Sequence, residues 1–531
     1  MSALTGPVQP PQTQIIPVVE APRTVRRDLL RGRTESWWDR MVLAGVGVLA
    51  TVLGLWNLTG ATAYQDDEGT YTAQAFSVLE GQLAPYTYWY DHPPLGWIQL
   101  GSLAWLPELL GLGDGTYIGA TRFAIVPFFV ATAMLVYLIG RRLGVSRPIA
   151  GLTVLVFVLS PLTLVIGRQV YIDNIGIPWL LLAFYLALSP RGALWHHVGA
   201  GVFFAVAVLS KETLAIFGPA LLVALLNRPN WSNRVFSTVG FLVVGGLVLF
   251  SYPLMALLRG ELFAGPNHVS LQEALAFQFM DRSGSGSIWE AGSSRAELLE
   301  GWLYYDTYLV LAGVAAGVLC LMRRRAVWIP VAMATFAVPV LTGEGYLPSM
   351  YIIGVVPFLA LALGVAADIL WSAFRKVVAP LAPRPRTVAT IVVGAAAILG
   401  AASVTVPHWW GQSRALLTEE ENTDWASTLA WVQENVPRQD TILVPYSMWQ
   451  DVNTSGWDDP WDAVVTEKVD LDGQFLREHP EGAEALDWII VGPFTQANID
   501  SLGLDMVEEA LEESEPVQTF GGWSVHEVIS P

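Results

Sequence analysis

The chain has 531 residues, 53% of them hydrophobic and only 14% charged, and its many apolar runs are long enough to cross a bilayer. This excludes a large soluble core and predicts a mainly α, polytopic helical membrane protein. A net charge of −18, carried mainly by segments expected outside the cell, argues against nucleic acid as a partner, and a single cysteine, Cys320, rules out both an intrachain disulfide framework and a multi-cysteine metal site.

Residues 1–40 are rich in Pro and Arg, with too little apolar content to fold, and are expected to form a disordered cytoplasmic leader. The first apolar run reads as an uncleaved anchor, because the basic stretch before it is too long for an ordinary signal peptide. About eleven spans are predicted, beginning near residues 41, 117, 148, 174, 197, 212, 235, 304, 326, 349 and 387. Each covers roughly 16 to 25 residues, the length that crosses about 30 Å of hydrocarbon. Lys and Arg in short loops stay cytoplasmic. The clusters at Arg23 to Arg33, Arg141 to Arg147, Arg228 and Arg234, Arg323 to Arg325, and Arg375 to Arg386 all fall on one side of an eleven-span chain. The expectation is a multi-pass plasma-membrane protein with a cytoplasmic N-terminus. The first loop, the long loop from about 259 to 303 and the C-terminal tail lie outside.

The first outer loop opens with three consecutive carboxylates, Asp66, Asp67 and Glu68. Ionisable groups near membrane depth are costly, so function is the default reading, and adjacent like charges raise the proton affinity of at least one of them. The competing reading is a helix N-cap. Segments Thr70 to Leu79 and Leu95 to Leu106 mix apolar and polar residues as interfacial helices do, with Trp89, Trp97 and Trp105 as anchors.

Further along, Arg168 and Asp173 mark a point where the chain re-enters the membrane, either as part of a site or as a salt bridge tying loops. Lys211 sits between two apolar segments, where it binds a phosphate as a point charge or pairs with Glu212 and snorkels. The loop from 259 to 303 contains the flexible run from Asp281 to Ser287, a lid or a plain connector. From 409 to 531 short β-like runs (Thr441 to Pro445, Trp488 to Val491, Trp523 to Ile529) alternate with helical segments around Asp424 to Asn435 and Ile499 to Glu513. This predicts a small α/β domain, following a transmembrane domain over 41–408. The seven histidines make no ligand pattern, and no metal or cofactor is predicted.

The ordered set Asp67-Glu68-x-x-Tyr71, Gly81, Asp91-His92-Pro93-Pro94-Leu95, then Arg168-x-x-x-x-Asp173, Leu209-Ser210-Lys211-Glu212, and Tyr346-Leu347-Pro348 leading into Pro357 resembles the C-type membrane glycosyltransferases. Protein O-mannosyltransferases and lipid A aminoarabinose transferases are the relatives it is most similar to, over about residues 41 to 375. The resemblance implies transfer of a sugar from a polyprenyl phosphate to a glycan, lipid or protein acceptor on the outer side of the membrane, usually with inversion and without a metal. It makes Asp67 the catalytic carboxylate, with Asp66 and Glu68 as further candidates. Tyr71, Asp91, His92, Arg168, Asp173, Lys211, Glu344 and Tyr346 are the expected substrate-binding residues. In one respect the chain departs from the pattern: where relatives often carry an arginine for the phosphate, it has Thr342-Gly343-Glu344-Gly345-Tyr346. The phosphate must then draw on Lys211, Arg168, Arg122, Arg282 or Arg295.

The leaving group supports this chemistry, since a polyprenyl phosphate departs without a general acid. One carboxylate is needed to accept the proton of the incoming hydroxyl, and cationic groups to receive the phosphate. The competing class is a transporter or flippase for a lipid-linked sugar, which has no reason to gather carboxylates on one face.

Overall fold

The computed structural model describes residues 37–529 apart from 191–192, 228–230, 266–267, 283, 344 and 458. The expected leader therefore lies almost wholly outside the described residues, as does Glu344. Among the described residues, seven helices are long and apolar enough to cross a membrane: Trp37–Leu55, Tyr117–Arg142, Arg234–Arg259, Ser294–Cys320, Arg324–Thr342, Ser349–Val378 and one that begins at Pro383. A pair bent by 60°, Arg147–Leu159 and Pro161–Gly167, passes the same test as a unit. Three shorter apolar helices, Ile172–Ala187, Leu194–Ser210 and Glu212–Leu226, sit between them.

The bend has a local cause. Pro161 has no N–H to continue the first helix, and the Ser160 hydroxyl accepts from Thr163 N to start the second. The same hydroxyl donates to Asp306 Oδ2 at 2.5 Å. Asp306 itself interrupts Ser294–Cys320 with φ −152° and ψ 78°, and its other oxygen accepts from Leu309 N, so two helix breaks share one fully buried polar contact. At another level of the bundle, buried Asp39 accepts from Tyr137, Arg141 and Arg147, and Asp368 accepts from Ser146 N and Arg323. These ties fix the helix ends that carry the basic loops.

Ile172–Ala187 and Leu194–Ser210 have 16 and 17 residues. At 1.5 Å per residue they span about 24 to 26 Å, short of the hydrocarbon thickness. Both stop where a polar residue belongs to the site: Asp173 near the start of one, Lys211 just past the end of the other. The expected loop helices form as Asp66–Leu79 and Leu95–Leu109. Gly96 lets the second lie flush on the bundle, since a Cβ there would stand 2.7 Å from Ser210 O. Gln99 completes the contact, donating to Ser210 Oγ and accepting from the Trp179 indole.

After the helix Pro383–Thr418 the chain forms a five-stranded sheet with strands β1 (Ile442–Val444), β2 (Ala463–Val465), β3 (Trp488–Val491), β4 (Ser514–Phe520) and β5 (Trp523–Val528) in the order β2-β1-β3-β5-β4. The first three pair in parallel and the last two are antiparallel. Side chains alternate between two cores. Leu443, Val464 and Ile489 face one, packed by the C-terminal helices; Ile442, Val444, Ala463, Val465 and Ile490 face the other. That second core also takes in Tyr64, Ala73, Tyr86 and Ile118 from the first loop and the helix after it. The α/β unit is thus joined to the first loop by a shared interior. Asn422 receives Tyr64 N and donates to Thr59 O and Thr62 O, and the Tyr86 hydroxyl donates to Pro460 O and accepts from Val465 N. At Gly69 any Cβ would fall 2.0 Å from Tyr446 O, so the Asp66–Leu79 helix meets the start of helix Tyr446–Asn453 backbone to backbone.

Candidate active site

The three consecutive carboxylates have three different fates. The N-cap position is Gln65, which makes no side-chain cap, so the capping reading fails for all of them. Glu68 is fully buried and bidentate with Arg122, at 2.5 and 2.9 Å, and also accepts from Val170 N. Its expected catalytic role is corrected by this geometry: enclosed and saturated with donors, it is a structural anchor. Asp66, expected as an alternative base, instead turns to the C-terminal unit and accepts from Ser447 N at 3.1 Å. Asp67 is the most exposed of the three. Burial pushes its carboxyl above the ordinary range, with the charges of Lys211 and Arg282 pulling the other way.

Across the cleft, a relay holds the cation. Lys211, buried and extended between two helices, donates from Nζ to His92 Nε2 at 3.1 Å, and His92 Nδ1 donates to Glu212 Oε2 at 3.0 Å. This assigns the imidazole as neutral with its proton on Nδ1. Burial and Lys211 work against a second proton on the ring and Glu212 works for it; the net proton affinity stands above the ordinary value, but the Lys211 bond requires Nε2 to stay unprotonated. For Lys211, burial is outweighed by Glu212, Asp173, Asp67 and Asp91, which hold its ammonium charged. Asp173 Oδ2 is buried beside this group without a hydrogen-bond partner. Tyr71 stands over His92, ring centres 6.2 Å apart, and burial with Asp67, Asp173, Asp91 and Glu212 keeps its phenol firmly protonated.

Arg168 does not join them. Its guanidinium is spent on four backbone carbonyls, Leu164, Trp56, Ala61 and Leu416, and it makes no pair with Asp173. The expectation of a substrate-binding Arg168 is corrected: it ties the first loop to the base of the C-terminal unit. Arg122 is likewise committed to Glu68, and Arg295 donates to Gly345 O. Arg282 remains. It lies 3.7 Å over the ring of half-exposed Tyr346, and its charge acts on Asp67. The long loop thus returns a cation to the segment whose own sequence lacks one, and Ser285 pins it there through Gly345 O and Leu347 N. Among the described residues no three metal-ligating side chains converge to hold an ion.

Sequence reading missed Lys468. It comes from helix Thr466–Leu471 of the C-terminal unit and stacks on Trp89, 3.0 Å from the ring centre. No motif marks it; only its place beside the parallel strand β2 brings it to the cleft.

Residues 91–255 match the sequence profile of the dolichyl-phosphate-mannose-protein mannosyltransferases. No curated protein sequence matches the chain. The structure is similar to that of ArnT from Cupriavidus metallidurans bound to undecaprenyl phosphate (15% identity, 93% of this chain and 98% of that one, TM-score 0.55). It is also similar to the Archaeoglobus fulgidus oligosaccharyltransferase in the apo form (12% identity, 90% and 73% covered, TM-score 0.57). The chain has the fold of the C-type membrane glycosyltransferases. Within that fold, the matched profile begins at Asp91 and takes in His92, Asp173, Lys211 and Glu212, whereas Asp66, Asp67 and Glu68 lie before it. The same oligosaccharyltransferase, as AglB in complex with an inhibitory peptide and a dolichol-phosphate, aligns at 12% identity over 90% of this chain and 73% of that one with TM-score 0.51.

Proposed function

We propose that the protein transfers a sugar from a polyprenyl-phosphate donor to an acceptor hydroxyl on the outer side of the plasma membrane, with inversion at the anomeric carbon. The observation that carries this reading is that Lys211, fixed by His92 and Glu212, and Arg282 both bring their charge to bear on the Asp67 carboxyl. Asp67 takes the proton of the acceptor hydroxyl, whose oxygen bonds to the anomeric carbon as the bond from that carbon to the phosphate oxygen breaks. The departing phosphate keeps the electron pair, and Lys211 and Arg282 neutralise it. A raised proton affinity suits Asp67 to the base role. His92 and Glu212 hold Lys211 in place, while Tyr71, Asp91, Asp173 and Tyr346 line the path.

In this reading the bent pair and the three shorter helices also cross the membrane, which with the seven longer ones gives eleven crossings. A cytoplasmic leader (1–40) precedes the membrane domain (41–408), and the unit from 409 to 531 lies outside. Glu344 keeps its proposed place on the sugar hydroxyls.

The test is incubation of the purified protein in nanodiscs with radiolabelled polyprenyl-phosphate mannose, arabinose and glucose, following release of polyprenyl phosphate. Wild type should release it, and Asp67→Asn should lower the rate about 10²- to 10⁴-fold with donor binding retained. Donor binding without release from any of the three, by folded wild type, would favour transport of a lipid-linked sugar instead.

A further inference from the structure

The outer wall of the cleft contains polar groups that do not satisfy one another. Lys468 is only 4% exposed, its ammonium lies 3.0 Å from the centre of the Trp89 ring and 5.6 Å from that of Tyr86, and among the described residues no carboxylate stands within ion-pair distance of it. Beside it, Glu467 Oε2 and Asp472 Oδ2 are buried without any hydrogen-bond partner. Asp472 uses its other oxygen to accept from Thr87 and Gln474 N, which fixes the carboxylate in place. A folded protein rarely leaves two buried acceptors unmatched, since each forfeits its hydration.

We propose that Lys468, Glu467 and Asp472, with Trp89, form an acceptor subsite for an uncharged polyhydroxylated group, a sugar. The proposal rests on the transfer reading for its place in the reaction, though not for the binding itself. A hydroxyl both gives and accepts, so neighbouring hydroxyls take a hydrogen bond from the Lys468 ammonium while giving theirs to the two carboxylates. An anionic ligand satisfies only Lys468 and is repelled by Asp66, Asp67, Asp91, Glu467 and Asp472. A cationic one satisfies only the carboxylates, and a serine or threonine side chain brings a single hydroxyl. The charge of Asp91 acts on both Lys211 and Lys468, and that of Asp67 on Glu467. Burial pulls Lys468 down to about 8, with Asp472, Asp91 and Glu467 acting to keep it charged.

The experiment uses full-length protein in nanodiscs free of glycoside detergent. Saturation-transfer NMR measures binding of methyl mannoside, of its 6-carboxylate and 6-amino analogues, and of a threonine peptide. The neutral glycoside should bind best. Lys468→Met should weaken it about tenfold or more, and Lys468→Gln, which keeps a donor, should weaken it less. Thermal melts identify folded variants, and Trp89→Phe serves as the second probe should Lys468→Met not fold. Equal glycoside binding by the Lys468 variants, or preference for the acid, the amine or the peptide, overturns the proposal. If wild type binds the glycoside through Lys468 but uses no donor, the transfer reading falls and the sugar subsite stands.

Discussion

The two walls of the cleft are built on opposite principles. On the membrane side Lys211, His92 and Glu212 form a chain of hydrogen bonds with Glu68 and Arg122 paired behind them, and Asp173 Oδ2 is the one nearby oxygen left without a hydrogen-bond partner among the residues named there. On the outer side Lys468, Glu467 and Asp472 sit close together with open valences. A group whose partners are all protein is held in one position, which suits recognition of an unchanging phosphate. Groups left open hold their capacity for a ligand. The difference teaches that charge in this site is of two kinds, one spent on geometry and one kept for binding.

If the inner wall is a scaffold, the largest effect comes from breaking it. Arg122→Ala strands the Glu68 charge in the interior and should cost about 3–5 kcal/mol, read as a loss of thermal stability in detergent. A melting temperature like that of wild type would erase the contrast. Gly69→Ala should come next, because the new methyl meets the Tyr446 carbonyl. Overpacking of this kind costs about 1–3 kcal/mol, and it should appear as faster proteolysis between the last helix and the C-terminal unit, with the membrane bundle intact. Glu212→Gln should leave the fold in place and weaken polyprenyl-phosphate binding about tenfold, because the relay then holds Lys211 through a neutral partner. Unchanged affinity would show that Lys211 needs no positioning. The smallest effect is a shift in the pH profile. Asp67 works as a carboxylate and its proton affinity is raised, so kcat/KM should fall as pH drops through a limb above the ordinary aspartate value of about 3.9. A limb at or below that value would remove Asp67 from the base role.

Much of this was legible in the sequence, for physical reasons. Charges interrupting apolar runs are conspicuous, which is why Asp67, His92, Asp173 and Lys211 stand out as candidates in the sequence, and each expected span overlaps an apolar helix or bent pair. Glu68 was misassigned because a linear string shows three adjacent carboxylates as one cluster. On a helix, successive residues point about 100° apart. Asp66 thus reaches the C-terminal unit, Asp67 the cleft and Glu68 the interior. Arg168 looked like half of an ion pair, but its partners are backbone carbonyls, which no sequence pattern displays. Of the strands, β1, β3 and β5 were visible as apolar runs. β2 has only three residues, and β4 carries Pro516 at a register shift on the sheet edge, where the alternation is weak.

The shared core of the first loop and the C-terminal unit also sets an order of events during synthesis. Tyr64 pairs with Asn422, Asp66 with Ser447 and Tyr86 with Val465, contacts separated by 358 to 381 residues. The acidic helix leaves the ribosome early, yet the partners that complete it arrive only after every membrane helix has been made. Contacts so distant in sequence form late. Until then the wall that holds Asp66 in place is missing, so the acidic helix gains its surroundings only when the last part of the chain has folded and docked.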